Sequence, residues 1–318
     1  MGEIVFGGRK LEWEEPDTLL ECLEKGGVNV PSSCRSGVCQ SCLVKAVKGA
    51  PPEHSQEDLR ETWKQQGLFL SCISKNVCSL EVALPDAAVG MSTGTVVGKQ
   101  LLGEDVVRFQ LKTDAPFEFR AGQFANLIRP DGLTRSYSIA SIPADGVLEF
   151  QVRKVTGGKM SCWLYDEMQP GQSLTVRGPN GDCFYVPGQP AQPLLLIGTG
   201  TGLAPLVGIA RDALNAGHTG PIHLVHGGKN INHLYLHEEL TALGARHKNF
   251  HYLPAVTEPT TDVSLNVGRV NVVLDRKLPN LKNHRVFLCG SPPMVKDLKQ
   301  HVYRAGAALD DILADAFI

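Results

Sequence analysis

The sequence predicts a multidomain chain of mixed class, with an α+β domain over residues 1–88, an antiparallel barrel over 91–188 and a parallel α/β domain over 191–318. Three observations predict it. Cys34, Cys39 and Cys42 lie close together, and Cys72 follows at a distance. Residues 91–188 carry short alternating patterns broken by turn signals at short intervals, as small barrels do. After Pro187-Gly188-Gln189-Pro190, the apolar run Leu194-Leu195-Leu196-Ile197 opens an alternation of strands and helices, the pattern of buried parallel strands. A length of 318 residues suits two or three domains.

In the first domain, Ile4-Val5-Phe6 reads as a strand, Gly7-Gly8 as a turn and Leu11-Glu12-Trp13 as a second strand. Residues 18–25 predict a short helix, with Asp17 or Thr18 as N-cap and Gly26-Gly27 as its stop. The loop Cys34-Arg35-Ser36-Gly37-Val38-Cys39-Gln40-Ser41-Cys42 follows. Residues 43–47 alternate as a strand, 55–67 are polar turns with a short helix, 68–72 bring in Cys72 on a strand, and 77–84 close the domain. Residues 85–90 read as a linker.

Three thiols from one tight loop and a fourth from a neighbouring element, at gaps of four and then two residues, form the plant-type arrangement for a 2Fe–2S cluster. Backbone N–H groups of Arg35, Ser36, Gly37 and Val38 can face the sulfurs and tune them, and Gly37 admits a positive φ. Zinc is the alternative, but zinc sites favour paired Cys-x-x-Cys units, and only Cys39 and Cys42 make one.

The chain is 42% apolar and 20% charged, with a net charge of −2, which argues against nucleic acid as a partner. No apolar run approaches the ~18 residues of a membrane helix, and the N-terminus lacks the basic and apolar regions of a signal peptide. Four of the nine cysteines are needed as free thiolates and the rest are scattered, so a reducing cytoplasm is expected.

Strands are expected in the barrel at 94–102, 106–111, 123–128, 136–140, 147–152 and 173–176. In Arg135-Ser136-Tyr137-Ser138 the alternation puts Arg135 and Tyr137 on one face. Arginine grips phosphate through paired hydrogen bonds, and tyrosine lies flat against an aromatic ring. Gly157-Gly158-Lys159-Met160-Ser161 follows the strand at 150–154 and opens a helix, a combination that offers backbone N–H groups to an anion. An ordinary surface strand and a plain glycine turn are the bland readings of these two stretches.

In the third domain the run 194–197 leads into Gly198-Thr199-Gly200-Thr201-Gly202 and a helix over about 204–216, with Pro205 in its first turn. This is not the Gly-x-Gly-x-x-Gly fingerprint, but it still clears side chains from a strand-to-helix turn where a pyrophosphate can meet backbone N–H groups. The next strand, 222–226, ends near Lys229 with no carboxylate before Glu238, which leaves NADH and NADPH both open. A strand is expected at 250–255, a loop at 263–266, and a strand at 286–288 running into Cys289-Gly290-Ser291-Pro292-Pro293-Met294, then a helix over 294–305. His233, His237 and Glu238 lack a third ligand at metal-site spacing and read as a solvated helix face.

The cluster loop closely resembles that of plant-type ferredoxins, and residues 1–88 resemble the β-grasp ferredoxin domain. The Arg135-x-Tyr137-Ser138 and Gly158-x-x-Ser161 stretches, with the glycine loop and Cys289-Gly290, resemble the ferredoxin–NADP reductase superfamily. The whole order is similar to the reductase components of bacterial multicomponent oxygenases, and also to the reductase serving a CDP-6-deoxyhexose dehydratase. The resemblance implies a Greek-key flavin barrel and a Rossmann-like nicotinamide domain. It implies FAD held by Arg135, Tyr137 and Ser138, with its pyrophosphate at Gly158, Lys159, Met160 and Ser161. It implies NADH, or NADPH, at Gly198, Thr199, Gly200, Thr201, Gly202 and Gly290. Cys289 would lie where nicotinamide meets flavin, and Phe317 is a candidate for covering the flavin ring, an ordinary strand end being the bland reading. The implied activity is NAD(P)H-dependent reduction, with hydride passing to FAD and single electrons to the 2Fe–2S centre and on to an oxygenase or other redox protein docking near the ferredoxin domain. A monomer is expected. A non-catalytic redox sensor and a binding module without turnover are the readings from other classes.

Overall fold

The computed structural model describes residues 3–59, 61–75, 79–85 and 90–317. The expected start of a strand at Val77 and most of the expected linker at 85–90 lie outside these residues. The chain divides into two compact units: Met1–Ser92 with Asn126–Ser136 and Thr175–Asn180, and Thr93–Ala125 with Tyr137–Leu174 and Gly181–Ile318.

The N-terminal sheet begins with β1 (Glu3–Phe6) and β2 (Arg9–Glu12), an antiparallel hairpin turned by Gly7 and Gly8, both at positive φ. Helix α1 (Leu19–Lys25) starts at a capping box: the Thr18 hydroxyl accepts from Glu21 N while the Glu21 carboxylate accepts from Thr18 N. The helix buries Leu19, Leu20, Cys22 and Leu23. Strand β3 (Leu43–Lys48), helix α2 (Glu61–Gln65), β4 (Leu68–Leu70) and β5 (Leu80–Ala83) complete a five-stranded sheet ordered β2-β1-β5-β3-β4. Ile4, Leu19, Leu23, Val44 and Phe69 are fully buried in its core.

The middle sheet comprises β6 (Met91–Leu102), β7 (Val106–Thr113), β8 (Phe124–Ile128), β9 (Thr134–Ser138), β10 (Leu148–Arg153) and β11 (Ser173–Asn180), ordered β10-β7-β6-β11-β8-β9. Strand β7 pairs antiparallel with both β6 and β10, and the β6 side carries a register shift between Val96 and Gly98. After β10 comes a single turn, α3 (Lys159–Cys162), continued by a π-turn over Trp163–Glu167. Strand β11 runs to Asn180 rather than stopping at 176. The Gly178-Pro179 pair reads locally as a terminator, but the sheet carries the strand through it.

The third sheet is parallel at every pairing and ordered β15-β14-β13-β12-β16-β17. Its elements alternate: β12 (Leu194–Thr199), α4 (Leu203–Asn215), β13 (Ile222–Gly228), α5 (His237–Arg246), β14 (Phe250–Val256), β15 (Asn266–Val267), α6 (Val270–Lys277), β16 (Arg285–Gly290), α7 (Pro292–Arg304) and β17 (Ile312–Ala316). Leu194, Leu195, Leu196 and Ile197 are buried, as a central parallel strand requires. The stretch expected as a loop at 263–266 ends in the two-residue edge strand β15, where Asn266 and Val267 pair with Ala255 and Val256. The order reverses on the two sides of β12, so the crevice at its carboxyl end is the topological switch point where such sheets bind ligands.

Candidate functional site

The loop between α1 and β3 has no regular secondary structure. Arg35, Gly37 and Gln40 all take left-handed backbone conformations, at φ 54°, 85° and 53°. Two of these carry side chains, so the turn persists only because its surroundings hold it. The Arg35 guanidinium pairs with Glu24 on α1 at 2.6 Å, and Gln40 Nε2 donates to Asp58 O at 2.9 Å. The turn aims backbone at sulfur: Ser36 N and Cys39 N donate to Cys34 Sγ at 3.4 and 3.3 Å, and Cys34 N donates to Cys39 Sγ at 3.4 Å.

Cys34, Cys39, Cys42 and Cys72 are all free thiols. They influence one another most strongly in two pairs, Cys34 with Cys39 and Cys42 with Cys72. Among the described residues no three His, Cys, Asp or Glu side chains converge on one point as they would around a single ion. The Cys39 thiol, then the Ser36 side chain and the N–H groups of Cys39 and Ser36, bring Cys34 down to about 4 against burial. Cys72 is also lowered, by the Cys42 thiol and the Gly37 N–H. Their partners move the other way: the Cys34 thiol and burial push Cys39 up, and the Cys72 thiol and burial push Cys42 up, so each pair favours one thiolate, the form that ligates metal.

In the second unit, Ser138 closes β9, buried, with its hydroxyl 3.5 Å from Asp315 Oδ2. Tyr137 beside it is half-buried. In the first unit, Arg135 is exposed and donates from Nη1 to Thr134 O at 2.7 Å. At the turn before α3, Ser161 Oγ accepts from Val155 N at 3.1 Å. A Cβ on Gly158 would stand 2.5 Å from that hydroxyl, so a side chain there would displace it. The Ser161 hydroxyl serves its own turn, which leaves the backbone at Lys159 and Met160 as the groups at the head of α3.

A cavity of about 770 Å³ opens at the carboxyl end of the parallel sheet. Thr199, Gly200 and Thr201 form one wall, Gly227, Gly228 and Lys229 another, and Gly290, Ser291 and Phe317 a third. Gly198 and Gly202 frame the loop without lining the cavity. At Gly202 a Cβ would stand 2.1 Å from Cys289 O, so the loop can lie against β16 only with glycine there. Arg153, Lys229 and Arg269 contribute fixed positive charge, and Asp297 is the single carboxylate in the lining, which suits a dinucleotide's anionic pyrophosphate. Sequence reasoning placed Lys229 here but not Arg153 or Arg269, which lie on other elements.

Cys289 is fully buried on β16, with Sγ 3.9 Å from Cys183 Sγ, and does not line the cavity. Pairing of β16 with β17 sets Cys289 opposite Asp315, and Phe317 N then donates to Gly290 O at 2.8 Å. Burial pushes Asp315 up to about 6, with the Ser138 hydroxyl pulling it back. Asp315 was missed in the sequence; its signal is a lone carboxylate in the apolar run Ile312–Ala316. His233 Nδ1 donates to Asn230 Oδ1 over 2.9 Å, and His237 packs 5.6 Å from the Tyr252 ring; among the described residues no group of three or more potential metal ligands includes them.

This combination defines a class: a flavin- and iron–sulfur-dependent oxidoreductase driven by a nicotinamide dinucleotide. Three family models match the chain: a 2Fe-2S iron-sulfur cluster binding domain at residues 5–76, an oxidoreductase FAD-binding domain at 93–185 and an oxidoreductase NAD-binding domain at 196–300. The ferredoxin–NAD(P)+ reductase component of the naphthalene 1,2-dioxygenase/salicylate 5-hydroxylase systems of a Ralstonia species is 34% identical, over 96% of this chain and 95% of its own length. The corresponding component of the Pseudomonas putida naphthalene 1,2-dioxygenase system is 32% identical, over 94% and 93%. Among solved structures, the Amycolatopsis cytochrome P450 reductase GcoB matches with a TM-score of 0.72 at 30% identity, covering 100% of this chain and 99% of that one. The chain belongs to this family of ferredoxin–NAD(P)+ reductase components and carries its 2Fe–2S, FAD and NAD-binding domains.

Proposed function

We propose that the chain oxidises NADH and delivers single electrons to an oxygenase component, with Cys34, Cys39, Cys42 and Cys72 as the ligands of its 2Fe–2S centre. The pairing of four thiols in two sets carries the reading: Cys34 and Cys39 would hold one iron, and Cys42 and Cys72 the other. Bound FAD supplies the conversion between a two-electron hydride donor and a one-electron acceptor.

The chain's own residues bind and orient. Arg135, Tyr137 and Ser138 hold the flavin, with Gly158, Lys159, Met160 and Ser161 at its pyrophosphate. Gly198, Thr199, Gly200, Thr201, Gly202 and Gly290 shape the dinucleotide cradle, and Phe317 on its wall offers a ring for a planar base or nicotinamide. Cys289 acts from behind that wall, its thiol packed against Cys183 where it supports the strand that carries Gly290, rather than touching the dinucleotide. Ser138 and Asp315 form a hydroxyl–carboxyl pair able to hold a proton beside the flavin. No carboxylate at the end of β13 rewards a free 2′-hydroxyl, while Lys229 and Arg269 can receive a phosphate, so NADPH is accepted alongside NADH.

The acceptor docks near the cluster domain, and the chain works as a monomer in the cytoplasm. Its free thiols suit a reducing compartment, and none of the described helices is long and apolar enough to cross a membrane. The reading is tested by iron, acid-labile sulfide and flavin content of the purified chain, with NADH-driven reduction of cytochrome c. Cys72→Ser should lose the cluster and the cytochrome c activity while retaining flavin. A zinc-containing, colourless chain would reject the assignment.

A further inference from the structure

Arg177 on β11 is a buried cation that the proposed ligand set leaves unexplained. It is 3% exposed, and its Nε has no hydrogen-bond partner. None of the ion pairs found among the described residues includes it. Its Nη2 donates to Ser41 O and, at 3.4 Å, to Gln40 O. Asn126, fully buried on β8, donates from Nδ2 to Cys39 O at 2.9 Å, and its Oδ1 accepts from Ser136 Oγ at 2.7 Å. Three successive carbonyls of the cluster loop are thus taken by two side chains, all within the first compact unit.

Capturing a carbonyl does not need a charge, since a neutral amide does it at Cys39. A buried charge is costly unless an opposite charge faces it. Burial opposes the charged guanidinium, and the groups that favour it are Cys42 and Cys39 as thiolates, the form they take as metal ligands, with no carboxylate among them.

We propose that Arg177 is the buried counter-cation of the 2Fe–2S centre, a positioning residue that raises the centre's reduction potential. The proposal rests on the ligand assignment above. Reduction adds one electron to the centre, drawn from the flavin that the nicotinamide dinucleotide has reduced, and no bond forms or breaks at Arg177. The reduced centre carries one more negative charge than the oxidised one, so a fixed cation held against the loop between Cys39 and Cys42 favours the reduced form.

The test is a potentiometric titration of the full chain, followed by the electron paramagnetic resonance signal of the reduced cluster. Wild type, Arg177→Gln, Arg177→Lys and Asn126→Ala are compared. Arg177→Gln is expected to make cluster reduction at least tenfold less favourable, which is 59 mV lower for a one-electron couple. Arg177→Lys and Asn126→Ala should stay within that margin of wild type. An unshifted Arg177→Gln overturns the proposal. So does an Asn126→Ala shift as large as that expected for Arg177→Gln, because loop tethering rather than charge would then set the potential. If Arg177→Gln holds no cluster, Arg177→Lys decides: a cluster at unshifted potential supports the fixed charge, and a tenfold shift or a lost cluster overturns it. A wild-type chain without the signal would instead remove the ligand assignment itself.

Discussion

Asp315 shows how one residue's surroundings reset its chemistry. Its carboxyl, ordinarily near 3.8, is raised to about 6 by burial. The folded chain therefore keeps this proton over a range where the unfolded chain has lost it, and the neutral form stabilises the fold. That contribution is fully present below about pH 4 and is lost as pH rises through 6. Asp315→Asn is expected to unfold at higher temperature than the parent at pH 8 and to differ least near pH 4, with a ceiling of about 3 kcal/mol from roughly two pK units. Thermal unfolding at the two pH values checks this, and equal differences at both would reject it. Across the strand pair, Cys289 makes a second residue-scale test. Cys289→Ala should slow flavin reduction in stopped-flow mixing with NADH while the cluster spectrum is unchanged. A rate equal to wild type would show that the thiol only fills space.

At the scale of elements, two short devices set the sites. The capping box fixes where α1 begins, and α1 carries both the core leucines and Glu24, the partner of Arg35 in the cluster loop. Thr18→Ala should cost about 1 kcal/mol, typical for loss of an N-cap hydroxyl, and should loosen the cluster loop with it. A lower unfolding midpoint with faster cluster loss on heating is the expected reading. The strand-to-helix turn before α4 depends on Gly202, where even one methyl group would meet the Cys289 carbonyl. Gly202→Ala should weaken NADH binding by tenfold or more while leaving the iron content intact, because the loop must retreat from β16 and the cradle moves with it. Calorimetric titration with the dinucleotide distinguishes this from wild-type affinity.

At the scale of the whole molecule, the compact units do not follow the three sheets. Asn126–Ser136 and Thr175–Asn180 group with residues before Thr93, and they bring Asn126 and Arg177 to the cluster loop. A fragment starting at Thr93 would expose both polar side chains and lose their carbonyl partners. It should unfold at a lower temperature than the intact chain, and an equal midpoint in calorimetry would show the two parts to be energetically independent.

The order of three sheets, the Cys34–Cys42 loop and the glycine loop were legible in the sequence because each depends on residues close together in the chain. Thiol spacing, turn glycines and apolar runs report chemistry that neighbours alone enforce. Phe317 was expected as a candidate cover for the flavin ring; its seat on the wall of the cavity beside Gly290 depends on β17 pairing with β16 and was not read from the sequence. Helix α6 was not identified, since Val270–Lys277 packs one short face, Val270, Val273 and Leu274, on the sheet and carries no side-chain cap. Arg177 and Asp315 lay out of reach for the same physical reason. In the sequence Arg177 only precedes Gly178-Pro179, and Asp315 is a carboxylate within the apolar run 312–316. Their environments come from groups far away in sequence, Ser41 for one and Ser138 for the other, which only the folded sheets bring near. Local residue chemistry determined which cofactors this chain carries; long-range packing decided which buried charges face them.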